Sequence, residues 1–134
     1  LLVQRAVRKA SVADPIEVVG DGDQVVAYLA GEGAFADRAR YPLPGLLLLD
    51  LKLPRRSGFE VLAWLRAQPG LRRLPVVVLT SSRLAADVNR AYDLGASGYL
   101  VKPVSLAEFT SMLGRVHAFW AMTERPDLAK GAAP

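Results

Sequence analysis

The sequence predicts an α/β fold, a parallel sheet flanked by helices. Three observations point there. Apolar runs of strand length alternate with stretches of helical periodicity along the chain. Residues 45–49 and 75–79 are apolar without alternation, the mark of strands buried on both faces of a parallel sheet. Three of the predicted strands finish on a polar residue: Asp50, Thr80 and Lys102.

Taken in order, residues 1–10 carry apolar side chains at helical spacing and stop at Asp14-Pro15. Residues 16–19 are short and β-branched, hence a strand. Gly20-Asp21-Gly22 forms a turn, and Asp23 is the expected N-cap of a helix running to about Ala30. Residues 31–44 hold glycines, prolines and charges and are expected to form a long surface loop. The run 45–50 is the next strand. Ser57 caps a helix carrying Phe59, Val61, Leu62 and Leu65, ended by Pro69-Gly70. Residues 75–80 form a strand, and 84–94 a helix closed by Gly95 at C′. Residues 97–101 form the last strand, stopped by Lys102-Pro103. Ser105, with Glu108 three residues on, signals a capping box for a final helix with the stripe Leu106, Phe109, Leu113, Val116 and Trp120. Residues 1–122 make one domain, and 123–134 a flexible tail.

Bulk properties narrow the function. At 134 residues the chain holds one core, with 51% apolar and 22% charged residues. No apolar run approaches the roughly 18–20 residues that cross a bilayer, and no signal peptide is visible, so a cytoplasmic protein without a membrane partner is expected. The absence of cysteine excludes disulfides and thiolate chemistry and agrees with a reducing compartment. The net charge of +4 raises nucleic-acid binding, but the arginines come singly or in pairs, as on a solvated surface, so that partner is disfavoured.

The chemistry lies at the strand ends. Parallel strands finish on one rim of the sheet, where open α/β sheets build their sites. Asp50, Thr80 and Lys102 therefore converge on that rim. Each alone has an ordinary explanation: a turn aspartate, a strand threonine, a solvated lysine. Together they make a set. The carboxylate can attack phosphorus, while the hydroxyl and ammonium can hold phosphoryl oxygens.

These residues carry a resemblance. Leu49-Asp50-Leu51-Lys52-Leu53-Pro54 with Gly58, Val78-Leu79-Thr80-Ser81, and Gly98-Tyr99-Leu100-Val101-Lys102-Pro103 resemble, in order, three motifs of response regulator receiver domains. The spacings of 30 residues from Asp50 to Thr80 and 52 from Asp50 to Lys102 match the bacterial chemotaxis receiver. The resemblance implies a flavodoxin-like doubly wound sheet of order 2-1-3-4-5. It implies a two-component response regulator, a phosphoacceptor rather than an enzyme, that signals by protein contact. Asp50 would accept a phosphoryl group from a histidine kinase, Thr80 and Lys102 would hold it, and Tyr99 would swing with Thr80. Asp50 and the Lys52 backbone carbonyl would bind Mg²⁺, and the Lys102–Pro103 bond would be cis. The loop with Ala36-Asp37 and Pro42, and the closing Phe119-Trp120, resemble the stand-alone regulators of bacterial phytochromes. That adds a bacteriophytochrome kinase and a homodimer, through those residues and the face bearing Tyr92 and Tyr99, to the expectations.

One family feature is missing from this sequence. Receivers begin with a strand ending in two acids that complete the Mg²⁺ site; residues 1–10 align instead with the helix that follows it. The strand and acidic pair would precede Leu1, and Asp14 is a poor substitute. Three explanations stay open: residues beyond this stretch; replacement of the strand by a second chain or by direct pairing of residues 16–19 with 46–49; or a degenerate pseudo-receiver, a phosphate-independent binding or dimerisation module. A small enzyme or flavin carrier is a further alternative, but no Gly/Ser/Thr-rich phosphate loop is visible.

Overall fold

The computed structural model describes residues 16–124 and 126. The expected helix over 1–10, and the expected tail beyond Thr123, Glu124 and Pro126, lie outside the described residues. These residues fall into two compact units, one holding 19–101 and 126, the other 16–18 and 102–124.

In the larger unit the elements are α1 (Gly22–Ala30), a 3-10 turn (Gly33–Phe35), β1 (Leu47–Leu49), α2 (Gly58–Ala67), β2 (Val76–Thr80), α3 (Ala85–Asp93) and β3 (Gly98–Val101). The three strands form a parallel sheet in the order β1-β2-β3, with Leu49 opposite Val78 and Thr80 opposite Val101. Helices join strands that run the same way, as parallel pairing requires. The core gathers Leu49, Val76 and Val78 from the sheet, Val25 and Leu29 from α1, and Val61, Leu62 and Leu65 from α2. The last three have no exposed surface, and burial of such side chains is worth about 1.5–3 kcal/mol each.

Three local expectations are corrected. Residues 16–19 form no strand, and Ile16 and Val18 stay 45% and 41% exposed. A β-branched run needs a hydrogen-bonded neighbour to become a strand; direct pairing of 16–19 with 46–49 does not occur. The run 45–50 yields a strand of three residues, and only Leu49 of them is buried. Among the described residues β1 is an edge strand, so it lacks the two-sided burial of β2. Helix α1 is capped by Asp21 rather than Asp23: its carboxylate accepts from Gln24 N–H at 2.8 Å. The start moves because Gly22 N–H already donates to the Pro54 carbonyl at 3.2 Å.

The loop 31–44 is more ordered than its composition suggests. The Arg38 guanidinium donates to the carbonyls of Tyr28, Leu29 and Tyr41. Two of these carbonyls, Tyr28 and Leu29, belong to the last turn of α1, where helix carbonyls lack intrahelical donors. The rings of Tyr28, Phe35 and Tyr41 pack with centroids 5.1–5.9 Å apart.

In the smaller unit, Ser105 caps α4 (Leu106–Ala121) by accepting from Glu108 N–H at 3.0 Å. Phe109 and Leu113 are its buried residues, while Leu106, Val116 and Trp120 of the expected stripe are half-buried. Phe119 is 65% exposed. None of the described helices is long and apolar enough to cross a membrane.

Candidate functional site

Asp50 follows β1 directly and is half-buried. Its Oδ1 accepts from Lys52 N–H at 3.0 Å, which holds the carboxylate over the start of the loop 51–57. Helix α2 fixes the other side. Ser57 and Glu60 form a reciprocal capping box, and Gly58 N–H donates to the Leu51 carbonyl at 3.0 Å. The approach is so close that a Cβ at Gly58 would lie 2.2 Å from the Asp50 carbonyl oxygen and 2.7 Å from Leu51 Cα. Only glycine permits the helix to start there. Leu51, 5% exposed, anchors the loop in the core. Arg55 reaches Asp21 at 3.6 Å and Arg56 reaches Asp23 at 3.2 Å. These exposed pairs add little stability, but they join the loop to the start of α1.

Thr80 is the last residue of β2, the strand hydrogen-bonded to β1. Neighbouring strands lie about 5 Å apart, so Asp50 and Thr80 finish side by side on the sheet's carboxyl edge. Thr80 has no exposed surface and its hydroxyl has no hydrogen-bond partner. A buried polar atom left unsatisfied costs about 1–3 kcal/mol. Among the described residues the Thr110 hydroxyl is also buried without a partner, but Thr80 differs in ending the strand next to the one that Asp50 follows.

The register pairs Val78 with Tyr99 and Thr80 with Val101, which puts Thr80 and Tyr99 on the same face of the sheet. Tyr99 is half-buried against the core, and its hydroxyl donates to the Ser82 carbonyl at 3.0 Å. Lys102 follows β3 directly in sequence and belongs to the smaller unit. The described peptide bonds contain none in the cis form. The bond before Pro103 is therefore trans, against the expectation; trans is the ordinary state, favoured by about 0.5–1 kcal/mol.

The metal set is incomplete, as expected from a sequence without the acidic pair. Among the described residues no group of three or more His, Cys, Asp or Glu side chains could hold a metal ion. Mg²⁺ takes six oxygens, and the Asp50 carboxylate with the Lys52 carbonyl falls far short of that set.

Sequence reasoning missed Ser82 and Asp87. The Ser82 hydroxyl donates to Asp87 Oδ2 at 2.6 Å and accepts from Leu84 N–H at 3.3 Å. A serine shortly before a helix is a faint signal for such a role. It also missed Arg66 of α2, whose guanidinium donates to the carbonyls of Arg72, Leu74 and Gly95. Burial lowers the Arg66 pKa from its ordinary value.

Comparison with known proteins agrees with this arrangement. A family model described as the response regulator receiver domain matches residues 3–114. Response regulator Rcp1 of Synechocystis is 36% identical over 122 residues, covering 91% of this chain and 81% of that protein. The crystal structure of the phosphorylated cyanobacterial phytochrome response regulator RcpA aligns with a TM-score of 0.83 at 35% identity, covering 94% of this chain and 89% of that one. The Mn²⁺-bound form of Rcp1 gives a TM-score of 0.80 at the same identity and coverage. The parallel three-stranded sheet with its helices matches the flavodoxin-like fold of these receivers, without the strand expected at residues 16–19. The chain belongs to the response regulator receiver domain family and is a response regulator of the two-component kind.

Proposed function

We propose that Asp50 is the phosphoacceptor of this response regulator and that a histidine kinase is the donor. An Asp50 carboxylate oxygen bonds to phosphorus as the phosphorus–nitrogen bond of the donor phosphohistidine breaks. A proton from solvent goes to the leaving imidazole nitrogen, and an acyl phosphate remains on Asp50. The Thr80 hydroxyl donates to a phosphoryl oxygen, Lys102 supplies an ammonium to the same group, and Tyr99 responds to the movement of Thr80. The observation that carries this reading is the buried, unpartnered Thr80 hydroxyl beside the strand that delivers Asp50.

The kinase we propose is a phytochrome, because the similar RcpA is a phytochrome response regulator. The protein signals from the cytoplasm by contact, as a homodimer, without an enzymatic turnover of its own. The receiver proper comprises residues 1–122, with 123–134 as a tail. Divalent metal enters from the Mn²⁺-bound form of Rcp1. Here Asp50 and the Lys52 carbonyl are the oxygens we assign to it. They do not complete a site, and no step above runs through the metal. A phosphate-independent binding module is not favoured, since the similar RcpA is itself phosphorylated.

The test is intact mass after incubation of the full chain with acetyl phosphate and Mg²⁺. The wild type gains one phosphoryl group and Asp50→Asn gains none. No gain by the wild type, or an equal gain by Asp50→Asn, overturns the assignment.

A further inference from the structure

Helix α3 is weakly built. Its N-cap, Leu84, offers no side-chain hydrogen bond, and Ala91 is its one buried residue. Ser82 supplies what the cap position does not. Its hydroxyl bridges Leu84 N–H and the Asp87 carboxylate in the first turn of the helix. Its carbonyl, on the same residue, accepts from the Tyr99 hydroxyl. Ser82 lies two residues after Thr80, separated by Ser81 alone. A change at Thr80 therefore reaches, across one intervening residue, a residue that holds both the start of α3 and the ring of Tyr99.

The far end of α3 is held differently. Gly95, at φ +98°, closes the helix: its N–H donates to the Tyr92 carbonyl and Ala96 N–H to that of Ala91. Arg66 clamps the Gly95 carbonyl from α2 at 2.6 Å. One end of the helix thus hangs on a hydroxyl–carboxylate bond and the other on a backbone lock reinforced by a guanidinium.

We propose that Ser82 is a positioning residue: its hydrogen bond to Asp87 sets the fraction of molecules in which Tyr99 is latched to the Ser82 carbonyl, with the Gly95 end of α3 as the pivot. The proposal rests on the assignment of Thr80 and Tyr99 to the switch. It belongs to this chain's own side chains, because it needs a hydroxyl at 82 and a carboxylate at 87. Breaking the bond frees the loop 81–84, loosens the first turn of α3 and lets the Tyr99 ring leave.

The experiment is fluorine NMR on the full chain labelled with 3-fluorotyrosine. The Tyr99 resonance is identified by its loss in Tyr99→Phe. Ser82→Ala and Asp87→Ala shift it toward the solvent-exposed position, with the exposed population rising about fivefold, the factor carried by one net hydrogen bond. Ser82→Thr, which keeps the hydroxyl, retains the wild-type spectrum. The double variant Ser82→Ala/Asp87→Ala moves the resonance no further than either single variant, because both remove one interaction. A Tyr99 resonance unmoved in Ser82→Ala, a Ser82→Thr spectrum equal to that of Ser82→Ala, or additive effects in the double variant overturns the proposal. These spectra are recorded without phosphoryl donor, so failure of Asp50 to accept phosphate, read separately by intact mass, leaves them interpretable.

Discussion

Helices α2 and α3 flank the same strand in sequence and are built on opposite principles. Helix α2 has a reciprocal capping box and three apolar residues with no exposed surface, and it is pressed onto the Asp50–Leu51 backbone through Gly58. Helix α3 has no side-chain cap and buries Ala91 alone. What holds α3 is polar: Ser82 to Asp87, the Arg90 guanidinium 4.2 Å over the Phe59 ring, and Arg66 on the Gly95 carbonyl. Apolar burial is lost wholesale when a helix moves, whereas hydrogen bonds to water or to a new partner replace those given up. The difference assigns the two helices their tasks. Under the proposed function, the acceptor loop after β1 is pressed against the helix that is costly to move, and the response is assigned to the helix that is cheap to move.

Substitutions sharpen this contrast. The largest effect is expected in α2: Leu62→Ala should cost about 2–5 kcal/mol, the usual range for emptying a fully buried leucine site, read from the urea unfolding midpoint. A cost below that of an exposed substitution would show that α2 is not the rigid mount. Arg66→Ala should cost less, about 1–3 kcal/mol, because the carbonyls of Arg72, Leu74 and Gly95 lose their donor. Arg66→Lys should recover only part, since an ammonium cannot span three carbonyls as a planar guanidinium does. The smallest effect belongs to α3: Leu84→Ser, which puts a hydroxyl at an N-cap 66% exposed, should stabilise by no more than about 1 kcal/mol in the same unfolding curve.

The fold class and the acceptor strand were legible because the signals are local. An apolar run ending in Asp50, another ending in Thr80, and the Ser57/Glu60 and Ser105/Glu108 pairs each state their role within a few residues. What was not legible depends on distant partners. Residues 16–19 have strand composition yet form none, since propensity without a pairing neighbour decides little. The cap of α1 moved to Asp21 because Gly22 meets a loop more than thirty residues away, where a Cβ would lie 1.9 Å from the Arg56 carbonyl oxygen. The order in 31–44 comes from Arg38 folding back on α1 and from the rings of Phe35 and Tyr41 packed on Tyr28. The positions of Asp50 and Thr80 at strand ends could be read from the apolar runs before them, whereas the Ser82–Asp87 bond could not: a serine and an aspartate five residues apart across a helix start have no periodic signature. The incomplete metal set, by contrast, was legible, because the acidic pair is missing from the sequence.

The central claim is that phosphorylation is received on a fixed element and reported by a loose one. Amide hydrogen exchange of the full chain, with and without acetyl phosphate and Mg²⁺, tests it directly. The account predicts a several-fold change in exchange at residues 85–89 of α3, no change at 58–67 of α2, and neither change in Asp50→Asn. An equal response in α2, or an unaltered α3 in protein shown by mass to carry the phosphoryl group, would contradict it.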